Sequence, residues 1–280
     1  MKIADALRRA AEFLKENADA RRDAALLLGF VLNRERAFLI ANDDRDLSYE
    51  EIELFFELIE RRASGEPIQY ITGRQEFFGL EFEVNENVLI PRPETEILVE
   101  AAIEILREKE NPYFCDVGTG SGCIPISILA NLENAKAVAV DISSGALAVA
   151  RKNAEKHRVA ERIEFYESDV FAVFQNPKFD LIVSNPPYIP NKDLPVLPRE
   201  VREHEPHAAL FGGAVGTEIV ERLLTDAPQF LIENGYLMFE IGFAQGEAVK
   251  AIIDGKMWRL IEIKDDLAGI PRIVILQLNS

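Results

Sequence analysis

The sequence predicts an α/β fold: a mostly parallel sheet with helices on both faces, preceded by a small helical bundle and a β-hairpin linker. Three observations carry this. Apolar residues recur at helical spacing up to about residue 65, a glycine-punctuated alternating stretch follows, and from about residue 87 short apolar strands alternate with amphipathic helices. The helical stripe is visible in Ile3, Leu7, Ala10 and Leu14, and again in Ile52, Phe55, Phe56 and Ile59. Ser64-Gly65-Glu66-Pro67 interrupts it, because proline cannot continue a helix and glycine weakens one. Residues 69–84 then alternate, with Gly73 and Gly79 as turn signals, which predicts a hairpin. The expected division is a helical domain at 1–65, a linker at 66–86 and an α/β domain at 87–280. In that last domain, strands are expected around Cys115 and at 136–141, 162–167, 179–184 and 235–241, with two more at the end. Helices are expected from Ile124, from Ser144, near Glu218 and near Gln245. Ligands of such sheets bind beyond the carboxyl ends of the strands.

Composition narrows the function classes. A chain of 280 residues can bury a sizeable core, and no apolar run approaches the roughly 20 residues that a membrane span needs. The first twenty residues form an amphipathic pattern unlike a signal peptide, so a cytoplasmic protein without membrane attachment is expected, and as a monomer. Cys115 and Cys123 are too few for a disulfide framework and read as structural thiols. His204 and His207, two of three histidines, flank Pro206, which spoils a helical metal pair, so no metal is expected. The net charge of -17 matters most, because proteins grip nucleic acid by neutralising phosphates with lysine and arginine. Direct DNA binding is not expected.

The segment from Tyr113 to Gly122 reads as a strand, a glycine turn (Gly118, Thr119, Gly120, Ser121, Gly122) and a helix start, with Pro125 in the first turn. Glycine lets the backbone approach a ligand closely, and the free N–H groups of the helix face whatever lies there. Alone the loop is a weak signal, but its neighbours sharpen it. Asp116 stands two positions before the first glycine, where a carboxylate could meet the cationic amino-acid end of S-adenosylmethionine. A dehydrogenase has no such need. Asp141, with Ile142 after it, ends the next strand 19 residues beyond Gly122, where a carboxylate can take both ribose hydroxyls. Asp169 and Val170 follow the third strand, positioned for the adenine amine and ring, although a helix cap explains Asp169 nearly as well.

At the end of the strand 179–184 stands Asn185-Pro186-Pro187-Tyr188. The prolines fix their own φ and lack N–H groups, so the turn offers acceptors, the Asn185 side-chain oxygen and the Pro186 carbonyl. Such a fork could hold both N–H bonds of a carboxamide or an exocyclic amine while its lone pair faces an activated methyl. Tyr188 could lay its ring against the planar group. The reacting residues expected are Asn185, Pro186 and Tyr188.

The chain resembles the HemK/PrmC family, protein-(glutamine-N5) methyltransferases that modify class I peptide-chain release factors. The likeness covers nearly the whole sequence. Besides DVGTGSGCIPISIL and SNPPYIP it includes EPIQYITGRQEFFGLEF, LIPRPETE, DISSGALAVARKNAEKH, EPHAALFGG, EIGFAQGEA and DLAGIPRIV. The stretch from Leu89 to Glu96 is distinctive, because N-P-P-Y alone is shared with adenine-N6 DNA methyltransferases. The resemblance implies a Rossmann-like class I methyltransferase with a seven-stranded sheet, S-adenosylmethionine as cofactor and S-adenosylhomocysteine as product. By it, Asp116, Gly118–Gly122, Asp141, Ile142, Asp169, Val170 and Asn185 hold the cofactor. Asn185, Pro186, Pro187 and Tyr188 hold the substrate glutamine, Arg92 and Glu94 lie near the mouth, and the helical domain docks the release factor. The chain departs from the family at Val170, where a bulkier residue is common, and at Ala214-Val215, where acidic residues are usual. Three other readings compete. A ribosomal-protein glutamine methyltransferase would use the same fork. An adenine methyltransferase would need a basic face and a target-reading insertion, and neither is visible. A non-catalytic cofactor-binding module predicts a damaged fork, whereas Asn185 and Tyr188 are intact.

Overall fold

The computed structural model describes residues 1–17 and 19–280. It divides into two compact units, Met1–Gly73 with Pro198–His204, and Arg74–Leu197 with Glu205–Ser280.

The first unit is helical: α1 (Ile3–Phe13), α2 (Ala20–Leu32), α3 (Arg36–Ala41), α4 (Tyr49–Ala63) and α5 (Ile68–Thr72). Ile3, Ala6, Ala10 and Leu14 pack against Leu27, Leu28, Phe55 and Ile59, so the stripe legible in the sequence is the core of this unit. A capping box starts α4: the Ser48 hydroxyl accepts from the Glu51 N–H while the Glu51 carboxylate accepts from the Ser48 N–H. Arg62 donates to buried Asp23 at 2.7 Å and to Glu200 at 2.8 Å, tying in the later helix Arg199–His204, α9 in chain order.

One expectation needs correcting here. The alternation from residue 69 suggested a strand, but Ile68–Thr72 is helical. Pro67 starts the turn, the Tyr70 and Ile71 N–H groups both donate to the Pro67 carbonyl, and the Thr72 hydroxyl donates back to the Ile68 carbonyl at 2.9 Å. Left-handed Gly73 then ends the helix. The hairpin lies just beyond, β1 (Arg74–Phe77) against β2 (Leu80–Glu83), and its two-residue turn puts both Phe78 and Gly79 at positive φ.

The second unit continues with α6 (Glu96–Arg107), β3 (Tyr113–Val117), α7 (Cys123–Asn131), β4 (Lys136–Asp141), α8 (Ser144–Lys156), β5 (Ile163–Glu167) and β6 (Phe179–Ser184). After it come the short β7 (Ile189–Pro190) and β8 (Phe211–Gly213), then α10 (Glu218–Asp226), β9 (Leu231–Glu240), α11 (Gly246–Ile252), β10 (Trp258–Asp265) and β11 (Pro271–Leu278). Seven strands form one sheet in the order β10-β11-β9-β6-β3-β4-β5, and only β11 runs antiparallel to its neighbours. Alternate residues serve opposite faces. Phe114, Ala139, Leu181, Val183 and Met238 join one core with α6 and α7, while Cys115, Val117, Val140, Ile182 and Phe239 join the other with α10. Strand order reverses at β3, which lies between β4 and β6, so the carboxyl ends of these three strands meet at the switch point. Among the described residues no helix is long and apolar enough to cross a membrane.

Candidate active site

A cavity of about 310 Å³ opens at that switch point, within the range for small-molecule sites. The register delivers its walls. Val117 pairs with Val140 on one side and Ser184 on the other, so Gly118, Asp141 and Asn185 emerge together, each one residue past the paired rungs. The cavity brings together Gly118, Thr119, Gly120, Ser121, Asp141, Ile142, Asp169 and Val170 from the cofactor set. From the substrate set it adds Asn185, Pro186, Pro187 and Arg92. Asp116, Gly122, Glu94 and Tyr188 do not line it.

The loop glycines do different work. Gly118, Gly120 and Gly122 all have positive φ, the region that side chains disfavour. A Cβ on Gly118 or Gly120 would meet nothing within 4 Å, whereas one on Gly122 would lie 2.9 Å from Ile126 Cδ1 and 3.2 Å from Ala150 Cβ. The first two therefore shape the cavity floor, and the third lets α7 and α8 pack closely.

Asp116 is fully buried, and neither carboxylate oxygen has a hydrogen-bond partner among the described residues. Burial pushes its carboxyl up to about 7; the nearby Thr119 hydroxyl tempers this without forming a hydrogen bond, and Asp141 adds to it. Thr119 and Ser121 hydroxyls are likewise unpartnered and buried. Buried polar atoms without a partner are rare in folded proteins, and two of these residues, Thr119 and Ser121, line the cavity. Asp141 accepts from the Gly120 N–H at 2.8 Å and the Ser143 N–H at 2.9 Å, one bond per oxygen, and each oxygen retains a free lone pair. The cap of α8 is Ser143, whose hydroxyl accepts from the Ala146 N–H, so Asp141 is not spent on capping. Burial raises its carboxyl too, opposed by these backbone donors.

Asp169 is half exposed and takes 2.8 Å from the Arg222 guanidinium. Val170 beside it is buried at φ 53°, a true outlier for a β-branched residue, and costs roughly 1–3 kcal/mol. Ser168 holds it there, donating from its hydroxyl to the Val170 carbonyl while accepting from the Val173 N–H. Arg92 donates at 2.5 Å to Glu205, which is buried and also accepts from the Ile90 N–H. Glu94 falls in the 3-10 turn Pro93–Thr95 that leads into α6.

Asn185 shows which way the fork faces. Its Nδ2 donates to the Thr95 hydroxyl at 3.0 Å, and that hydroxyl donates to Glu240 Oε2 at 2.6 Å. The Asn185 oxygen is left on the other side as an acceptor. Tyr188 turns its hydroxyl inward to Glu240 Oε1 at 3.3 Å, and its carbonyl accepts from Gln245 Nε2 at 2.9 Å. Burial raises the Tyr188 phenol well above its ordinary value. The ring is thus a buttress within the turn rather than part of the cavity wall. Gly212 of β8 presses on the fork from outside, where any Cβ would collide with the Pro187 carbonyl. Glu218 orders the following loop through the Val215 and Gly216 N–H groups.

Sequence reasoning missed Thr95, Glu205 and Glu240. Each joins the site through a partner at least 90 residues away in the chain, and the only local hints were an acidic residue ending β9 and a threonine opening α6. Both cysteines are buried and free, and burial pushes the Cys123 thiol up to about 12 and Cys115 well above its ordinary value, so neither is a nucleophile.

Residues 5–73 match the PrmC N-terminal domain and residues 94–197 the methyltransferase small domain. The chain is 42% identical to the release factor glutamine methyltransferase of Koribacter versatilis over 91% of its own length and 90% of that protein. It is 36% identical to that of Clostridium acetobutylicum over 98% of both. Among solved structures, a methyltransferase from Pyrococcus furiosus superposes with a TM-score of 0.55 at 18% identity, covering 73% of this chain and 91% of that one. The hMettl16 catalytic domain gives 0.60 at 17%, covering 80% and 82%. These two share the fold. The chain is an enzyme and belongs to the release factor glutamine methyltransferase family.

Proposed function

We propose that this enzyme transfers a methyl group from S-adenosylmethionine to the side-chain amide nitrogen of the glutamine in the Gly-Gly-Gln motif of class I peptide-chain release factors. S-adenosylhomocysteine is the co-product. The observation that carries the reading is the Asn185 carboxamide, whose nitrogen is committed to Thr95 and whose oxygen is left as an acceptor on a wall of the cavity.

The residues present suit S-adenosylmethionine. The orphaned Asp116 and its neighbouring hydroxyls call for a cationic or donor-rich group, and the amino-acid end supplies one. The spare lone pairs of Asp141 suit two ribose hydroxyls, and Val170 with Ile142 offers apolar contact to a ring, Asp169 lying beside them. When bound, the cofactor supplies a methyl carbon activated by a sulfonium. The protein must then make an amide nitrogen attack. Conjugation holds the nitrogen lone pair, on the scale of the roughly 18–20 kcal/mol barrier to peptide rotation. Two acceptors, Asn185 Oδ1 and the Pro186 carbonyl, would take both amide hydrogens and turn the lone pair towards the methyl. Orientation of this kind is worth roughly 7–11 kcal/mol. The acceptor dipoles also favour the positive charge that grows on nitrogen. No general base is needed, since the alkylated nitrogen is acidic and loses its proton to water.

We assign Met1–Gly73 to gripping the protein partner. Its match to the PrmC N-terminal domain supports this, and exposed Phe13, Ile40 and Tyr49 are available to contact a partner. The net charge of -17 speaks against a nucleic-acid target, and a translation-factor substrate puts the reaction in the cytoplasm. The test is label transfer from S-adenosylmethionine to a release factor, its Gln→Ala loop variant, a ribosomal protein and duplex DNA. Label on the intact factor alone is expected. Label on the ribosomal protein or DNA, with none on the factor, rejects the assignment.

A further inference from the structure

We propose that Thr95 and Glu240 are positioning residues that set which way the Asn185 carboxamide faces, through a hydrogen-bond chain with a fixed direction. This rests on the reading that Asn185 Oδ1 receives the substrate nitrogen. A carboxamide has two ends of nearly equal shape, so sterics alone cannot tell its oxygen from its NH₂. If the group flipped, it would present donors to a substrate amide that itself brings donors, and the fork would repel the group it must hold.

The chain of bonds resolves this. The Thr95 hydroxyl has one hydrogen and gives it to Glu240 Oε2 at 2.6 Å, a distance typical of a hydroxyl on a carboxylate. Having given its hydrogen, that oxygen can only accept, and what it accepts is Asn185 Nδ2 at 3.0 Å. The Asn185 oxygen must then face away. The direction begins at Glu240, because an ionised carboxylate only accepts, and here both its oxygens do so, from Thr95 and from Tyr188. Thr95 and Glu240 are 2% and 1% exposed, so no water competes. Protonating Glu240 would free the threonine hydrogen to point at Asn185, and the flipped amide would then be equally well bonded.

This makes the carboxamide a pH-sensitive part. Burial pushes the Glu240 carboxyl up to about 6, with the Thr95 hydroxyl, the Arg272 charge and the Tyr188 hydroxyl opposing and the Glu94 charge adding. Arg272 and Arg92 are the cations whose charges reach the Tyr188–Glu240 pair, and Asp266 holds Arg272 at 2.9 Å. At saturating cofactor, kcat should fall as pH drops through about 6, whereas the cofactor affinity, which falls with protonation of Asp116 near 7, should be the same in E240Q as in the wild type.

The experiment compares T95V, T95S and E240Q with the wild type in methyl transfer, alongside cofactor Kd and melting temperature. Valine keeps the shape of threonine and removes the hydroxyl. T95V is expected to lose roughly tenfold or more in kcat at unchanged cofactor Kd, and T95S to restore most of it. In E240Q the glutamine can turn either end to Thr95, so the acid limb near 6 should vanish and kcat at pH 8 should fall. A T95V kcat within twofold of wild type, equal losses in T95V and T95S, or a surviving acid limb in E240Q overturns the proposal. The Asn185 side-chain NH₂ resonances, followed from pH 5 to 8 without substrate, give a readout independent of which protein is methylated. A midpoint near 6 that disappears in E240Q supports the relay, and resonances that ignore pH overturn it. A wild type that methylates no release factor would reject the glutamine reading instead, with these resonances still deciding the relay.

Discussion

Replacing Asp116 by asparagine should move stability and cofactor affinity in opposite directions. The carboxyl is fully buried, has no hydrogen-bond partner among the described residues, and is pushed from an ordinary 3.8 to about 7. Between those values the folded protein holds a proton that the unfolded chain has released, so stability falls as pH rises through this window and stays lowered above it. A shift of about three units corresponds to about 4 kcal/mol at pH 8, and to about 2 kcal/mol between pH 5.5 and pH 8. Asparagine has the same shape and never ionises. Its own unpartnered NH₂ carries a cost, but one that does not change with pH. The advantage of Asp116→Asn over wild type should therefore grow by about 2 kcal/mol from pH 5.5 to pH 8. The sole tryptophan, Trp258, is buried in the core that Cys115 and Val117 of β3 also share, so its fluorescence in urea reports the relevant unit. With cofactor the sign reverses. The charged carboxylate gains its partner, so the variant should bind S-adenosylmethionine at least tenfold more weakly at pH 8, and calorimetry of the wild type at pH 6 in buffers of different ionisation heat should show proton release. A stability difference that is flat with pH, or undiminished cofactor affinity in the variant, would refute a buried carboxylate awaiting a cation.

Two further expectations concern the scaffold around it. Asp141→Ala strips the acceptor from the Gly120 and Ser143 N–H groups as well as from the cofactor, and should weaken cofactor binding by roughly 1–3 kcal/mol per lost partner in a titration of Kd, at little change in melting temperature. Gly212→Ala forces a methyl onto the Pro187 carbonyl, so the fork must shift. Its kcat should drop at least tenfold while cofactor Kd holds, since misplacement on the scale of 1 Å costs about a hundredfold; a Gly212→Ala enzyme at full rate would show that the fork tolerates displacement.

The strands were legible because both faces of the sheet are covered. Ala137–Val140 and Leu181–Val183 read as apolar runs closed by polar residues, and Asp141 and Asn185 just beyond them are what emerge at the switch point. The glycine loop, weak as a signal by itself, was legible because Asp116 precedes it and Asp141 ends the next strand 19 residues beyond Gly122. Ile68–Thr72 was misread because five residues hold too little periodicity to separate a helical turn from a strand. The small sheet of β7 and β8 joins Ile189 to Phe211 across a segment with no alternating pattern of its own. Thr95 and Glu240 were invisible for a deeper reason: a threonine opening a helix and a glutamate ending a strand are ordinary, and only the fold brings their side chains together. Tyr188 was found by motif, but its inward turn to Glu240 depends on a residue 52 positions later.

Single-turnover methyl transfer by Asn185→Ala, with cofactor Kd measured on the same preparation, goes to the heart of the proposed chemistry. Loss of one of two acceptors should slow the transfer about 100- to 1000-fold, as removal of one oriented dipole does elsewhere, and leave Kd within a few-fold of wild type. Transfer that proceeds at near wild-type rate without the asparagine oxygen would mean that the nitrogen is activated by some other group.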